Sequence, residues 1–194
     1  MALHGSGVSY YRREGLTPLS WAVKGGHDAV VEMLLARDDV NANTFDRNHQ
    51  TPLFIAVNEG HEGVVRILLG RGDVNPNTPD FVDQSPLSRA AEQGYEGIVK
   101  VLLDHKSIEP NNETSCVFVP LHLAAEGGHE GVVKMLLEHH DINPNMENDP
   151  GETPLLAAAN QGHEGIVKML LGRADANPAT VDPKWPNATV EGSQ

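Results

Sequence analysis

The chain has 194 residues, and fourteen Lys and Arg against twenty-seven Asp and Glu give a formal net charge of −13. This charge repels phosphate backbones, so we expect no nucleic-acid partner and consider a basic protein surface more suitable, although the charge also serves solubility. Cys116 is the single cysteine, which excludes an internal disulfide framework and favours a reducing, cytoplasmic compartment. No apolar run approaches the roughly twenty residues of a membrane span, so we expect a soluble intracellular protein.

The sequence repeats itself every 34 residues, five times over. A Thr-Pro-Leu triplet or a variant of it opens each unit, and a Gly followed by a ring side chain comes nine residues later. The triplets begin at Thr17, Thr51, Ser85, Val119 and Thr153, and the second signal at Gly26, Gly60, Gly94, Gly128 and Gly162. A unit of this length cannot bury a core alone, so the periodicity predicts a solenoid of stacked units.

The second unit shows the predicted elements in chain order. Thr51 is placed to cap a helix with Pro52 at its first position, where the missing N–H costs nothing. Gly60 can adopt the left-handed backbone that ends this helix, and Glu62 opens a second helix near its positive end. The turn-rich run that begins at Asp73 cannot continue that helix and leads into the next triplet. Each unit is therefore predicted to be a helix, a tight turn, a second helix and an extended finger.

These units resemble ankyrin repeats, whose pattern is best kept in the fourth unit. There Pro120-Leu121-His122-Leu123-Ala124-Ala125 is followed by Gly128-His129, Val132-Val133, Leu136-Leu137 and Asp141-Ile142-Asn143. The resemblance implies an all-α solenoid of helix-turn-helix units joined by extended β-turn or hairpin fingers. The family period is usually about 33, so one extra residue between the Leu-Leu pair and the next triplet predicts a finger of different reach. His49, Asp83 and Val117 replace a Gly that the family usually has in the finger.

We predict three parts of the chain: residues 1–14 as an N-terminal segment or partial cap, 15–180 as an ankyrin repeat domain, and 181–194 as a C-terminal tail. Solenoid ends normally carry polar caps, and no complete cap is apparent at either end. Two interpretations remain open. Tyr10, Tyr11 and Trp185 could fold back over the ends, or the chain could be a fragment of a longer array, which we favour.

Residues that recur at one position of every unit are interpreted as scaffold. The resemblance implies that the histidines after the glycines bridge neighbouring units; these are His27, His61, His129 and His163. The acidic residues that follow them are explained by the helix dipole. His139-His140-Asp141 is a denser cluster, but adjacent residues on a helix point in different directions and no zinc spacing is present. We therefore predict neither a metal site nor a cofactor.

The candidate site residues are those that vary while the scaffold around them stays fixed. The resemblance implies that some of them line or border a concave face, and the others lie at finger tips. The predicted partner-binding residues are Trp21, Phe45, Arg47, Ile55, Glu59, Phe81, Arg89, Glu92, Leu123 and Glu126. Acidic residues beside an aromatic anchor suit a basic or mixed peptide, although these side chains equally fit an ordinary solvated surface.

We expect a monomeric, non-enzymatic protein–protein interaction module. One alternative is an enzyme that processes a small molecule in the groove with Glu92, Glu126 or His49 as acid–base residues. No nucleophile–base motif, metal spacing or phosphate loop supports that alternative, so the sequence weighs against an enzyme. Another alternative is an inert structural scaffold, which the close similarity of the units would fit.

Overall fold

The structure is a computed structural model that describes residues 15–111, 117–149 and 151–177. These described residues form ten helices and no strand. In chain order the helices are α1 (Pro18–Lys24), α2 (Asp28–Leu35), α3 (Pro52–Asn58), α4 (Glu62–Leu69), α5 (Pro86–Gln93), α6 (Glu96–Leu103), α7 (Pro120–Glu126), α8 (Glu130–Glu138), α9 (Pro154–Gln161) and α10 (Glu164–Leu171). The predicted all-α architecture of repeated helix–turn–helix units is confirmed. Tyr10, Tyr11, Cys116 and Trp185 lie outside the described residues.

Distances between Cα atoms divide the chain into two compact units. The first contains the described residues up to Ala90 together with Tyr95–Glu109, and the second contains Ala91–Gly94 and the described residues from Pro110 onward. In the first unit α1 packs on α3, α2 packs on α4, and α4 packs on α6. In the second unit α7 packs on α9 and α8 on α10. Like helices of successive repeats therefore lie together, as stacking requires.

Hydroxyl caps start the first helix of several repeats, as the sequence predicts. The Oγ1 atom of Thr51 accepts a hydrogen bond from the backbone N–H of Phe54 at 3.2 Å, and Pro52 follows the cap. Gly60, after the end of α3, has φ +75°. Its left-handed backbone lets the chain turn directly into α4, whose apolar stripe, including Val64 and Leu68, is fully buried.

Histidines join neighbouring repeats in the way that the resemblance implies. The Nε2 atom of His61 donates to the backbone carbonyl of Lys24 at 3.1 Å. Two bonds of the same kind occur in the second unit, from His129 to the carbonyl of Glu92 at 2.9 Å and from His163 to the carbonyl of Glu126 at 3.0 Å. The interpretation of these three histidines as scaffold is confirmed.

A ladder of asparagines occupies the stretch in which the extra residue was expected. The Nδ2 atom of Asn77 donates to the carbonyl of Ser107 at 2.7 Å, and its Oδ1 atom accepts the N–H of Glu109 at 3.0 Å. Asn145 makes the equivalent pair of bonds to the carbonyl of Asp175 and the N–H of Asn177. One side chain thus satisfies two backbone groups of the next repeat, which fixes where each finger begins.

The finger tips at Asp46 and Asp80 are tight turns held by these acidic side chains. The Oδ1 atom of Asp46 accepts the backbone N–H groups of Asn48 and Gln50, both at 2.8 Å. His49 lies in this turn with φ +57°, and Asp83 has φ +65° in the next finger. These two residues therefore adopt the left-handed backbone for which the family uses glycine. The next tip, expected to be reshaped around Val117, includes residues 112–116, which lie outside the described residues.

Candidate functional site

A cavity in the first compact unit brings together part of the predicted site. Its volume is about 300 Å³, and it is lined by Leu16, Lys24, Asp46, Arg47, Asn48, Gln50, Ile55 and Glu59. Three of these residues, Arg47, Ile55 and Glu59, were predicted from the sequence. The volume is at the lower end of the range for ligand pockets, about 300–1,000 Å³.

Three elements build this cavity. Lys24 is the last residue of α1, Ile55 lies in α3, and Glu59 follows the end of α3. The remaining wall comes from the finger, where the bonds to Asp46 fix the backbone around Arg47. Because the finger backbone is fixed locally, the polar side chains project from a defined wall rather than from a loose loop.

The lining of the cavity combines apolar and charged side chains. Ile55 is only 4% exposed, so a bound group meets its side chain inside the cavity rather than on the open surface. Lys24 and Arg47 supply positive charge, and Asp46 and Glu59 supply negative charge. A lining with apolar groups and charges of both signs suits one side chain of a polypeptide better than a strongly charged small molecule.

Aromatic side chains lie beside the cavity without lining it. The Nζ atom of Lys24 lies 5.6 Å from the ring centroid of half-buried Trp21. Phe45 directly precedes the finger wall, and its ring stacks on His49 with centroids 4.2 Å apart. Phe81 is 68% exposed, and its backbone N–H donates to the carbonyl of Asn48 at 3.2 Å. Both exposed phenylalanines are therefore attached to the finger that forms the cavity wall.

Arg89 takes part in packing between repeats. Its Nε and Nη2 atoms both bond the Oδ1 atom of Asn58, at 2.9 and 2.7 Å. The guanidinium therefore ties α5 to the end of α3, and the side chain is half-buried. The sequence predicts Arg89 as a partner-binding residue because the residue at this position varies among the repeats. It does not predict the contact between Arg89 and Asn58.

The other predicted residues, Glu92, Leu123 and Glu126, lie in the second unit. The backbone carbonyls of both glutamates accept the histidine bonds described above. Leu123 is half-buried in α7, and the exposed carboxylate of Glu126 lies 4.0 Å from the Nε2 atom of His122. Burial lowers the pKa of His122, while Glu126 and Glu152 act in the opposite direction.

Five cavity residues are not among the predicted partner-binding residues: Leu16, Lys24, Asp46, Asn48 and Gln50. Lys24 occupies the variable position two residues before the Gly-His pair, so its variability was a usable signal. Gln50 immediately precedes the second triplet, and nothing in its local sequence separates it from an ordinary turn residue.

The expectation for His139 and His140 was wrong in its geometry. Helix α8 ends at Glu138, and His139 follows with an extended backbone, φ −77° and ψ 131°. The two imidazole rings stack with centroids 4.7 Å apart. Among the described residues, His139, His140 and Asp141 each offer one potential ligand atom, and these atoms lie within 4.8 Å of one another.

Comparisons with known proteins agree with the repeat pattern and the helix pairs. A family model described as ankyrin repeats (3 copies) matches residues 2–80, 45–114 and 87–182. No individual curated protein matches the chain. Within the part that the structure describes, no helix is both long and apolar enough to cross a membrane. The family match, the 34-residue period and the stacked helix pairs together establish that the chain belongs to the ankyrin repeat family.

Proposed function

We propose that the finger and cavity of the first unit bind a protein segment and that the cavity receives one side chain of that segment. Ankyrin repeats are generally protein–protein interaction modules. The observation that supports this particular surface is the cavity of about 300 Å³ whose lining includes three residues that vary among the repeats. Variable residues on a fixed scaffold are where repeat proteins adapt to different partners.

The chemistry of the surface favours a segment that carries both apolar and charged residues. Phe45 and Phe81 are exposed on the fingers, where they can cover an apolar side chain of the partner. The charges around the cavity have both signs, whereas the whole chain has a net charge of −13. A segment with a basic excess and a few apolar anchors fits both features.

Not all predicted residues have the same role in this proposal. Arg89 acts through Asn58, which it bonds, so we assign it to positioning α3 rather than to direct contact. Trp21 supports Lys24 at the edge of the cavity. Glu92, Leu123 and Glu126 remain proposed contacts of the second unit for the same or another segment.

The enzymatic alternative has less support than binding. His49 stacks on Phe45 and is not one of the residues that line the cavity of the first unit. Glu126 is exposed, and its carboxylate lies 4.0 Å from the Nε2 atom of the buried His122. A general acid–base site needs a group within hydrogen-bond reach of a substrate held in a pocket, and the described residues do not combine these features at His49 or Glu126.

The proposal is tested by site-specific photocrosslinking. Phe81 and Met33 are almost equally exposed, 68% and 69%, but Met33 lies on α2 and is not a cavity residue. Replacing each in turn with the photoreactive amino acid p-benzoylphenylalanine gives a matched pair. With the photoreactive residue at position 81, we expect a covalent adduct of defined mass between the chain and a partner protein. With the photoreactive residue at position 33, we expect no adduct of that mass.

A second variant distinguishes binding that depends on the cavity from nonspecific adhesion of exposed apolar side chains. Arg47→Glu reverses one charge of the lining and leaves the exposed aromatic residues in place. We expect this change to remove the adduct at position 81, with unchanged thermal unfolding. Identical adducts at positions 81 and 33, or an adduct at position 81 that survives Arg47→Glu, would exclude this surface as the binding site.

A further inference from the structure

We propose that His139, His140 and Asp141 form a surface site for a divalent late transition-metal ion such as Zn²⁺. One potential ligand atom from each residue lies within 4.8 Å of the others. Two imidazoles with one carboxylate are a donor set that zinc accepts, with water in the remaining position. His140 and Asp141 are exposed, so an ion reaches the site directly from solvent.

Comparison with the equivalent loops shows what is different in this repeat. Three other repeats carry Arg-x-Asp here, and the arginine holds the aspartate with two hydrogen bonds. The pairs are Arg37 with Asp39, Arg71 with Asp73 and Arg173 with Asp175, at 2.7–2.9 Å. In the fourth repeat His139 stands in place of the arginine, so the carboxylate of Asp141 faces an imidazole of His140 at 3.2 Å instead.

This replacement changes the electrostatics of the carboxylate. In the Arg-x-Asp loops the guanidinium lowers the pKa of the aspartate, as at Asp73, and keeps the anion paired. In the fourth repeat no guanidinium occupies the place beside Asp141, because His139 stands where the other loops have arginine. The carboxylate and the two rings are thus left as donors in a chain of net charge −13, which attracts cations.

The backbone of this loop is held in place. The N–H of Ile142 donates to the carbonyl of His139 at 3.3 Å. Asn111 bonds the carbonyl of Asp141 through its Nδ2 atom and accepts the N–H of Asn143 at 3.0 Å. Because these bonds hold the backbone at His139 and from Asp141 to Asn143, we expect metal binding to require changes in side-chain torsions alone.

The side-chain adjustment is small. Zinc bonds of about 2.0–2.1 Å in a tetrahedral site place ligand atoms about 3.4 Å apart. The Nε2 atom of His140 and the Oδ2 atom of Asp141 are 3.2 Å apart and already meet this spacing, so the adjustment falls mainly on His139. The Nδ1 atom of His139 accepts the N–H of Asp141 at 3.3 Å, which is long for a hydrogen bond. Coordination gives up this contact, directly at Nδ1 or through a change of tautomer at Nε2. The predicted site is therefore open and moderate in affinity rather than a closed structural site.

The test is a titration of the full chain, prepared without a polyhistidine tag, with Co²⁺ and then Zn²⁺ at pH 7.5. Binding of Co²⁺ is followed by visible absorption, and displacement by Zn²⁺ gives the zinc affinity. We expect one site per chain. His140→Ala removes one donor, and His139→Arg recreates the Arg-x-Asp pair of the other repeats, so each should weaken binding at least about tenfold.

His105 provides the matched control. It is the equivalent of His139 in the third repeat, and its Nδ1 atom accepts the N–H of Ser107 at the same 3.3 Å. Lys106 and Ser107 follow it, so a second imidazole and a carboxylate are missing from that sequence. His105→Ala should leave the affinity unchanged. Absence of binding to the wild type, or equal affinities of the wild type and the His139→Arg and His140→Ala variants, would overturn the proposal.

Discussion

Val119 lies three residues before the buried His122, and its side chain offers the imidazole no hydrogen-bond partner. The first and third repeats place a hydroxyl at the position of Val119 and pair it with a hydroxyl three residues later. These pairs are Thr17 with Ser20 at 3.1 Å and Ser85 with Ser88 at 2.9 Å. His122 is 2% exposed, and its Nδ1 atom has no partner among the described residues.

The hydrogen-bond network identifies which nitrogen of His122 carries the proton. The Oδ1 atom of Asn148 accepts the N–H of Glu152 at 2.7 Å, which directs its Nδ2 atom toward the imidazole. That amide donates to the Nε2 atom of His122 at 2.9 Å. Nε2 is therefore the acceptor and Nδ1 carries the proton, so this buried N–H makes no hydrogen bond among the described residues.

Val119→Thr should stabilise the protein. The new hydroxyl would cap α7 as Thr51 caps α3, and it would accept the unpaired N–H of His122. Loss of one buried methyl group opposes this gain, which leaves a net increase of about 1 kcal/mol in the free energy of unfolding. Denaturant unfolding measures it. Val119→Ala is the control, because it removes apolar volume without adding a hydroxyl and should destabilise; a Thr variant no more stable than the wild type would contradict the assignment.

Burial of His122 also makes stability depend on pH. Burial lowers its pKa in the folded protein, while Glu126 and Glu152 partly offset that effect. The unfolded state therefore takes up a proton near pH 6.5 that the folded state resists. The stability that comes from the neutral imidazole is fully present above about pH 6.5 and is lost as the pH falls through that value toward the folded pKa.

The measurement is denaturant unfolding between pH 7.5 and pH 5.5 for the wild type and His122→Phe. The second repeat already has Phe54 at the equivalent position, so the replacement is compatible with the fold. We expect the free energy of unfolding to fall more steeply on acidification for the wild type than for the variant. Parallel pH profiles for the two proteins would show that His122 does not resist protonation in the fold.

The asparagine ladder makes Asn77 more important than its neighbour Asn75. The side chain of Asn77 bonds two backbone groups of the next repeat, whereas the Oδ1 atom of Asn75 accepts the N–H of Asn77 within its own loop. Asn77→Ala should lower the free energy of unfolding by about 1–2 kcal/mol, as expected for two lost hydrogen bonds at a partly exposed site. Asn75→Ala should cost less, and an equal loss for both variants would argue against a role of the ladder in joining repeats.

The helices could be predicted from the sequence because their signals are local. Thr51, Pro52 and Gly60 act within a few residues of their own position, so the pattern in one repeat specifies the cap, the helix and the turn. Repetition then identifies the bridging histidines as scaffold. The fold and the scaffold residues can be predicted from such patterns because the same signals occur in every repeat.

The cavity and the contacts of Arg89 could not be predicted in the same way. Lys24, Arg47 and Glu59 come from a helix end, a finger and a second helix end, and their meeting depends on the packing of two repeats. The bond from Arg89 to Asn58 joins variable positions 31 residues apart. The arrangement of His139 and His140 was misjudged because α8 ends at Glu138, so a helical projection does not apply to these two residues.

Two glycines of the second unit allow the cost of backbone strain to be measured separately from the cost of steric contact. Gly128 and Gly162 have nearly the same left-handed backbone, φ +74° and φ +76°. A Cβ atom on Gly128 would lie 2.7 Å from the ring of His163, whereas a Cβ atom on Gly162 would meet nothing within 4 Å. That ring donates to the carbonyl of Glu126 at 3.0 Å, so displacing it would also weaken a bond between repeats.

Alanine at either glycine should destabilise the protein, and Gly128→Ala should do so more strongly. An L-residue in the left-handed region lowers the free energy of unfolding of both variants by about 1–2 kcal/mol. Gly128→Ala lowers it by a further amount of about 1–3 kcal/mol because the new methyl group overlaps the ring of His163. Denaturant unfolding of the two variants gives the difference directly, without a correction for the backbone term that they share. Equal losses would mean that His163 moves aside at no cost and that its bond to Glu126 contributes little to the stacking of these two repeats.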